Sequence, residues 1–243
     1  DQSVTPWYAI SRDGGKSFAP VTATSYTIGT QHGGAFDPLQ GLPDFFASSP
    51  LAGATSLYMV QYETQALFEY QERVRAAGGN IQTHFVHHTN LVRMSSSAAA
   101  EVAAMEFVRA VVPYHQEYRL EPWLLERLGS GELAGPKPYN IWVFDRAGDQ
   151  AALVAQIEAL GGDVRDWSPR SSLVGAMLDE TQLVAVIGMD EVQHVDRYSE
   201  LEPDLDIVRQ FTGTDALEGA TGWSGQGVAG EVADTGIHET HND

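Results

Sequence analysis

Between residues 57 and 198 the chain writes the same pattern twice. The pairs Gly78-Gly79 and Gly161-Gly162 stand 83 residues apart, and the apolar runs Leu57-Tyr-Met-Val60 and Tyr139-Asn-Ile-Trp-Val143 precede them at matching distances. Between run and glycines, Tyr70, Val74 and Ala77 hold the same offsets as Leu153, Ile157 and Leu160. Spacings of four and three put each trio on one helix face. After the glycines come Asn80–Val86 and Asp163–Trp167, then Asn90–Met94 and Leu173–Met177, each reading as a strand. A second helix is expected near Ser97–Met105 and Asp179–Ile187, the latter opened by the capping-box pattern Asp179-x-x-Gln182. Val108–Tyr114 and Glu191–Tyr198 close the units as strands. The glycine pairs read as helix C-caps ahead of a strand; the competing reading makes them ligand loops.

This order, β-α-β-β-α-β twice over, is the split-βαβ or ferredoxin-like arrangement. Two copies are too few to bury a continuous solenoid core, so they predict two similar domains. The expected division is an arm at 1–56, a first unit at 57–122, a Gly/Pro linker at 123–138 with a helical turn at Trp123–Leu128, a second unit at 139–203, and a separate start at 204–243. The arm is rich in Gly, Pro, Ser and Thr and should be extended, with local hairpins and β-like runs at Trp7–Ile10 and Ser25–Ile28. Within it, Ser11-Arg-Asp-Gly-Gly-Lys-Ser-Phe18 resembles an Asp-box hairpin of the sialidase type, and Gln31–Pro38 reads as loop.

Charge and composition remove several classes of function. Lys and Arg number 14 against 33 Asp and Glu, a net charge of −19, which repels nucleic acid and anionic membrane surfaces. No cysteine is present, so disulfides and thiol catalysis are excluded. The longest apolar run, Leu183–Met189, is far short of the roughly 20 residues of a membrane-spanning helix. No Gly-x-Ser-x-Gly occurs, and the serines at 95–97 and 171–172 read as cap or turn residues.

The last stretch, Gly222–Asp243, carries the chemistry. A glycine turn leads into a strand-like run that delivers Asp234 just before Thr235 and Gly236, and Thr240-His-Asn-Asp243 follows. The passage resembles the aspartate motif of the subtilisin-like serine proteases, although Gly230, Glu231 and Asn242 depart from the family pattern. The resemblance implies that Asp234 is the triad aspartate, holding a histidine that takes the proton of a serine nucleophile. In that family the order is aspartate, histidine, serine, so both partners would lie beyond Asp243 and these 243 residues would be inactive alone. It further implies that Asp243 is a calcium ligand in the complete enzyme, with no calcium held by this portion, and that the protein is secreted, its signal peptide removed ahead of Asp1. A ferredoxin-like unit directly before Asp-Thr-Gly resembles the prodomain of subtilisin-like zymogens. Its implied partners are its own catalytic domain and, for the parent enzyme, polypeptide substrates. The implied fold is therefore α+β: an irregular arm, two tandem prodomain-type units, then the first strand of an α/β subtilisin-like domain, with residues 195–203 as the tail laid through the cleft.

Two other motifs in this stretch fail on context. Gly225-Gln-Gly-Val-Ala-Gly230 fits a dinucleotide fingerprint but precedes a strand-like run, and His238-Glu-Thr-His241 has the wrong spacing for a zincin helix. Two rival functions remain: a tandem small-molecule-sensing module and a free-standing protease inhibitor. Neither gives Gly222–Asp243 a purpose.

Overall fold

The structure is a computed structural model that describes residues 5–29, 34–44, 51, 55–144, 148–168, 171–198, 208, 211–224 and 226–227. The chain divides into a compact unit at 1–198 and a second at 199–243.

The first unit contains two four-stranded antiparallel sheets. Module 1 runs β5 (Leu57–Tyr62), α1 (Phe68–Ala76), β6 (Asn80–Phe85), β7 (Thr89–Arg93), α2 (Ser96–Ala103) and β8 (Val108–Pro113), with strand order β6-β7-β5-β8; β1 to β4 lie in the arm. Module 2 repeats it with β9 (Lys137–Val143), α4 (Asp149–Ala159), β10 (Asp163–Trp167), β11 (Leu173–Leu178), α5 (Glu180–Ile187) and β12 (Val192–Arg197), order β10-β11-β9-β12; the short α3 is Pro122–Leu125. Even the irregularities recur. The β6–β7 register shifts across Gln82 and the β10–β11 register across Arg165, 83 residues on. In the fourth strands the shifts fall at Arg109 and Gln193.

Strand alternation sends one side of each sheet toward its helices. In module 1 Val60, Tyr62 and Val92 meet Val74, Ala98 and Val102, and Tyr70 stacks on Phe107 with ring centroids 4.3 Å apart. In module 2 Tyr139, Ile141, Val174 and Ala176 meet Leu153, Ile157, Leu183 and Val186. The second helix of each module begins on a side-chain cap. Ser95 accepts the Ala98 N–H at 3.2 Å, and Asp179 and Gln182 exchange both capping-box bonds, at 2.8 and 2.9 Å. Each such cap contributes about 1 kcal/mol.

The glycine pairs end α1 and α4 in the same way. Gly78 and Gly161 take left-handed φ of 94° and 79°, while Gly79 and Gly162 return their N–H groups to Val74 O and Ile157 O, both at 2.9 Å. These are Schellman caps. The second glycine of each pair also lies under its helix. A Cβ on Gly79 would fall 2.7 Å from Val74 Cγ1 and 2.9 Å from Val92 Cγ1, and one on Gly162 2.7 Å from Ile157 Cγ2 and 2.8 Å from Leu178 Cδ2. Leu160 of the expected trio has already left the helix as its C-cap and is exposed.

The segment read as a linker is packed. A 3-10 turn at Gln116–Arg119 leads into α3, and Leu120, Leu124 and Leu133 join the module 2 core, because Gly and Pro in this stretch set turns between apolar anchors rather than a free tether. Leu120 pairs in parallel with Val195, and Arg197 forks onto Glu121, so the outer edge of β12 is covered. The arm, expected to be extended with local hairpins, pairs β1 (Trp7–Tyr8) with β2 (Thr22–Ala23) and β3 (Ile28–Gly29) with β4 (Ala35–Phe36). Gln31–Pro38, expected as loop, thus contributes a strand at Ala35–Phe36, since Phe36 is drawn into an apolar cluster.

In the second unit, α6 (Thr214–Thr221) has no buried residues and lies between Gly213 and Gly222, both left-handed. Phe211 and Trp223 beside it are exposed. Among the described residues no helix is long and apolar enough to cross a membrane.

Two outcomes test this account. Gly79→Ala and Gly162→Ala should each destabilise by about 1–3 kcal/mol through overpacking, read by urea unfolding; an unchanged midpoint for either would show that the close approach is not required. The second concerns the arm turn, where Asp13 takes hydrogen bonds from the Ser17 hydroxyl at 2.7 Å, the Ser17 and Lys16 N–H groups and the Ser11 hydroxyl. These bonds, Ser17's first, pull its pKa from 3.8 down to about 2. The carboxylate's contribution to the turn is therefore complete above its unfolded pKa and is lost as pH falls through about 2. A carbon-13 titration should place the midpoint near 2, and one at the free-carboxyl value would remove the turn from solution.

Candidate functional site

Asp234 and Asp243, with His238 and His241, lie outside the described residues. Of Gly225–Gly230 only Gln226 and Gly227 are described, in a turn. Asp234 and Asp243 thus stand on sequence alone. Among the described residues there is no group of three or more His, Asp or Glu that could hold a metal ion.

What the described residues build is a bare sheet face on module 2. Because Tyr139, Ile141 and Val143 point to the helices, the alternate residues Asn140 and Trp142 of β9 point away. Register places Leu173 beside Trp142 on one side and His194 on the other, with Gly175 and Asp196 flanking Asn140. Trp142 is 37% exposed at the centre of this face. Its indole Nε1 donates to Asp196 Oδ2 at 3.0 Å, which fixes the ring while leaving its surface open. A large aromatic held rigid at low entropic cost is the kind of residue that anchors protein interfaces.

At one end of the face the tail begins. Tyr198 follows β12 and donates its N–H to Pro138 O at 3.3 Å, extending the pairing one step beyond Arg197. Tyr198 is 49% exposed. Pro138, Asp166, Gly175, Met177 and Tyr198 line a shallow cavity of about 240 Å³ there, with Arg165 at the bulge. Of the expected tail, Val195–Tyr198 is described and 199–203 lies outside. Burial raises the pKa of Tyr139 beneath the cavity, so its phenol stays neutral.

The glycine pairs are accounted for by their caps and by the helix–strand contacts they permit. Ser95 is an N-cap, and the Ser171 hydroxyl accepts the Leu173 N–H at 3.0 Å. In the sequence Trp142 lies within an apolar run, and the signal that marks it is a tryptophan in the outward phase of Tyr-Asn-Ile-Trp-Val. The arm's Asp37, read as loop, instead forks onto Arg109 of β8 at 2.7 and 2.8 Å with both side chains nearly buried. Burial alone would raise the Asp37 carboxyl, but Arg109 and the Leu39 N–H outweigh it and hold the pKa below the usual range.

No protein-family model, no curated protein and no solved structure matches this chain.

Proposed function

We propose that the chain is the N-terminal part of a secreted subtilisin-like serine endopeptidase precursor. In this reading both modules are ferredoxin-like units. The second is the prodomain that assists folding of the catalytic domain and then caps its cleft, and 204–243 opens that domain. The observation that carries the reading is the order of parts: a β-α-β-β-α-β module with Trp142 on a bare sheet face stands just before Asp234-Thr-Gly-Ile and Thr240-His-Asn-Asp243.

The chemistry follows from residue types. The sheet face would meet helices of the catalytic domain, with Trp142 as the apolar anchor and Asp166 and Asp196 as acidic neighbours. The chain beyond Tyr198 would enter the cleft extended, adding its backbone to a strand edge. Asp234 would orient the histidine that deprotonates the serine, both supplied from outside these 243 residues. Asp243 would give calcium one carboxylate of the six to eight oxygens it needs, so the ion would require further ligands from the catalytic domain and no step is assigned to it.

Two measurements test the reading. The full chain should inhibit a subtilisin-like catalytic domain, and Trp142→Asp should weaken inhibition about thirtyfold, the loss of roughly 2 kcal/mol typical of an aromatic anchor; an unchanged inhibition constant would take the sheet face out of the interface. In the full-length precursor, Asp234→Asn should leave folding intact and lower turnover by about four orders of magnitude, because the partner histidine is held in the wrong tautomer. Near-normal turnover would end the triad assignment.

A further inference from the structure

The two modules carry the same sheet face in opposite states. On this face module 1 aligns Leu91, Met59 and Val112 across β7, β5 and β8, at the register positions of Gly175, Asn140 and Asp196 in module 2, and Thr89, Gln61 and Ala110 in the next row, at those of Leu173, Trp142 and His194. The module 2 residues are partly exposed, whereas Met59 and Leu91 are 0% and 1% exposed. The covering groups in module 1 include the chain's own arm. Ile28 and Phe36 from β3 and β4 pack in one cluster with Leu57, Met59, Leu91 and Val112.

Polar contacts hold the arm in register. Gln61 points to this side of β5 and donates to Tyr26 O at 2.9 Å, while the Tyr26 hydroxyl donates to Glu63 O at 2.7 Å. Arg109 sits at the bulge of β8, lies 4.1 Å over the Tyr26 ring, donates to Gln61 Oε1 at 2.6 Å and forks onto Asp37. At the matching bulge module 2 carries Gln193, which offers no charge to pair with such an arm.

We propose that the face of module 1 is a second copy of the docking surface, with the arm as its ligand: Ile28 and Phe36 fill the apolar centre and Asp37 locks onto Arg109. The first module is thereby closed to outside partners, and docking falls to module 2 alone. The division of labour rests on the function proposed above, while the occlusion of module 1 does not.

The test uses the full chain. Phe36→Ala combined with Asp37→Ala should free the arm, raising anilinonaphthalene sulfonate fluorescence several-fold with the far-ultraviolet circular dichroism retained. A peptide of residues 24–38 added in trans should reverse the rise. If the double variant unfolds, Asp37→Ala alone, which removes only the ion pair, should give a smaller rise that the same peptide reverses. No rise in the folded variant, or a rise the peptide leaves untouched, overturns the occlusion.

An inactivated subtilisin-like catalytic domain then reads the docking surfaces by calorimetric titration. The parent chain should bind a single equivalent, Trp142→Asp should weaken that binding about thirtyfold, and the arm variant should gain a second equivalent. Two equivalents on the parent, or none gained on freeing the arm, overturns the equivalence of the faces. Absence of any binding to the parent sinks the function proposed above, and the dye and peptide results still decide the occlusion.

Discussion

A helix can settle on the next strand as closely as α1 and α4 do only where the chain omits a Cβ. Gly79 and Gly162 lie within 3 Å, at the Cβ position, of side chains on both helix and strand, so any larger residue would push the two apart. The preceding glycine supplies the left-handed turn that reverses the chain, and the cap satisfies carbonyls the helix would otherwise leave open. From that contact the rest follows in order. Val74 and Ile157 reach the sheet, the first helix lies flat, and the remaining area of that face is left for a second helix rich in small residues in module 1 and branched ones in module 2.

Joining two such modules requires charge where water is scarce. Arg119, fully buried, donates to Met189 O at 2.9 Å and Ile187 O at 3.3 Å at the end of α5 and to Thr55 Oγ1 at 2.8 Å ahead of β5. Asp190 receives Ser56 from module 1, and Arg93 of β7 forks onto Asp149 of α4 at 2.9 and 2.8 Å. A guanidinium taken out of water costs several kcal/mol unless its donors are met. Here carbonyls at a helix C-terminus, whose dipole favours a cation, meet one terminal nitrogen and Thr55 the other, while Nε is buried without a hydrogen-bond partner among the described residues. Truncating Arg119 would therefore leave the Ile187 and Met189 carbonyls without their donor and cut the link to Thr55, a contact that ties the two modules within the first compact unit.

The repeat was legible because its determinants are local: glycines at a helix end, alternation in strands and Asp179 with Gln182 at a helix start act over a few residues. Contacts that join distant stretches left no such trace. Nothing near Ile28 or Phe36 announces Met59 and Leu91 as neighbours, and nothing in the Gly/Pro segment announces that Leu124 and Leu133 complete the core of module 2. Exposure was equally hidden, since Leu57-Tyr-Met-Val60 and Asn140-Ile-Trp-Val143 have the same apolar phase although one face is covered and the other bare. For Asp234 the motif itself is the whole of what is known, because its surroundings lie outside the described residues.

The arm's place at the start of the chain bears on how the protein is made. Synthesis runs from the N-terminus, so Ile28, Phe36 and Asp37 have left the ribosome before β5, β7 and β8 exist. The apolar face of the first sheet meets its cover as it closes and spends little time bare, when it would be prone to aggregation. The second sheet closes with Trp142 outward, and among the described residues just ahead of it no hairpin like the arm's is formed. In the function proposed above, the interval between the completion of β12 and the docking of the catalytic domain would be the one in which the nascent chain most needs a chaperone.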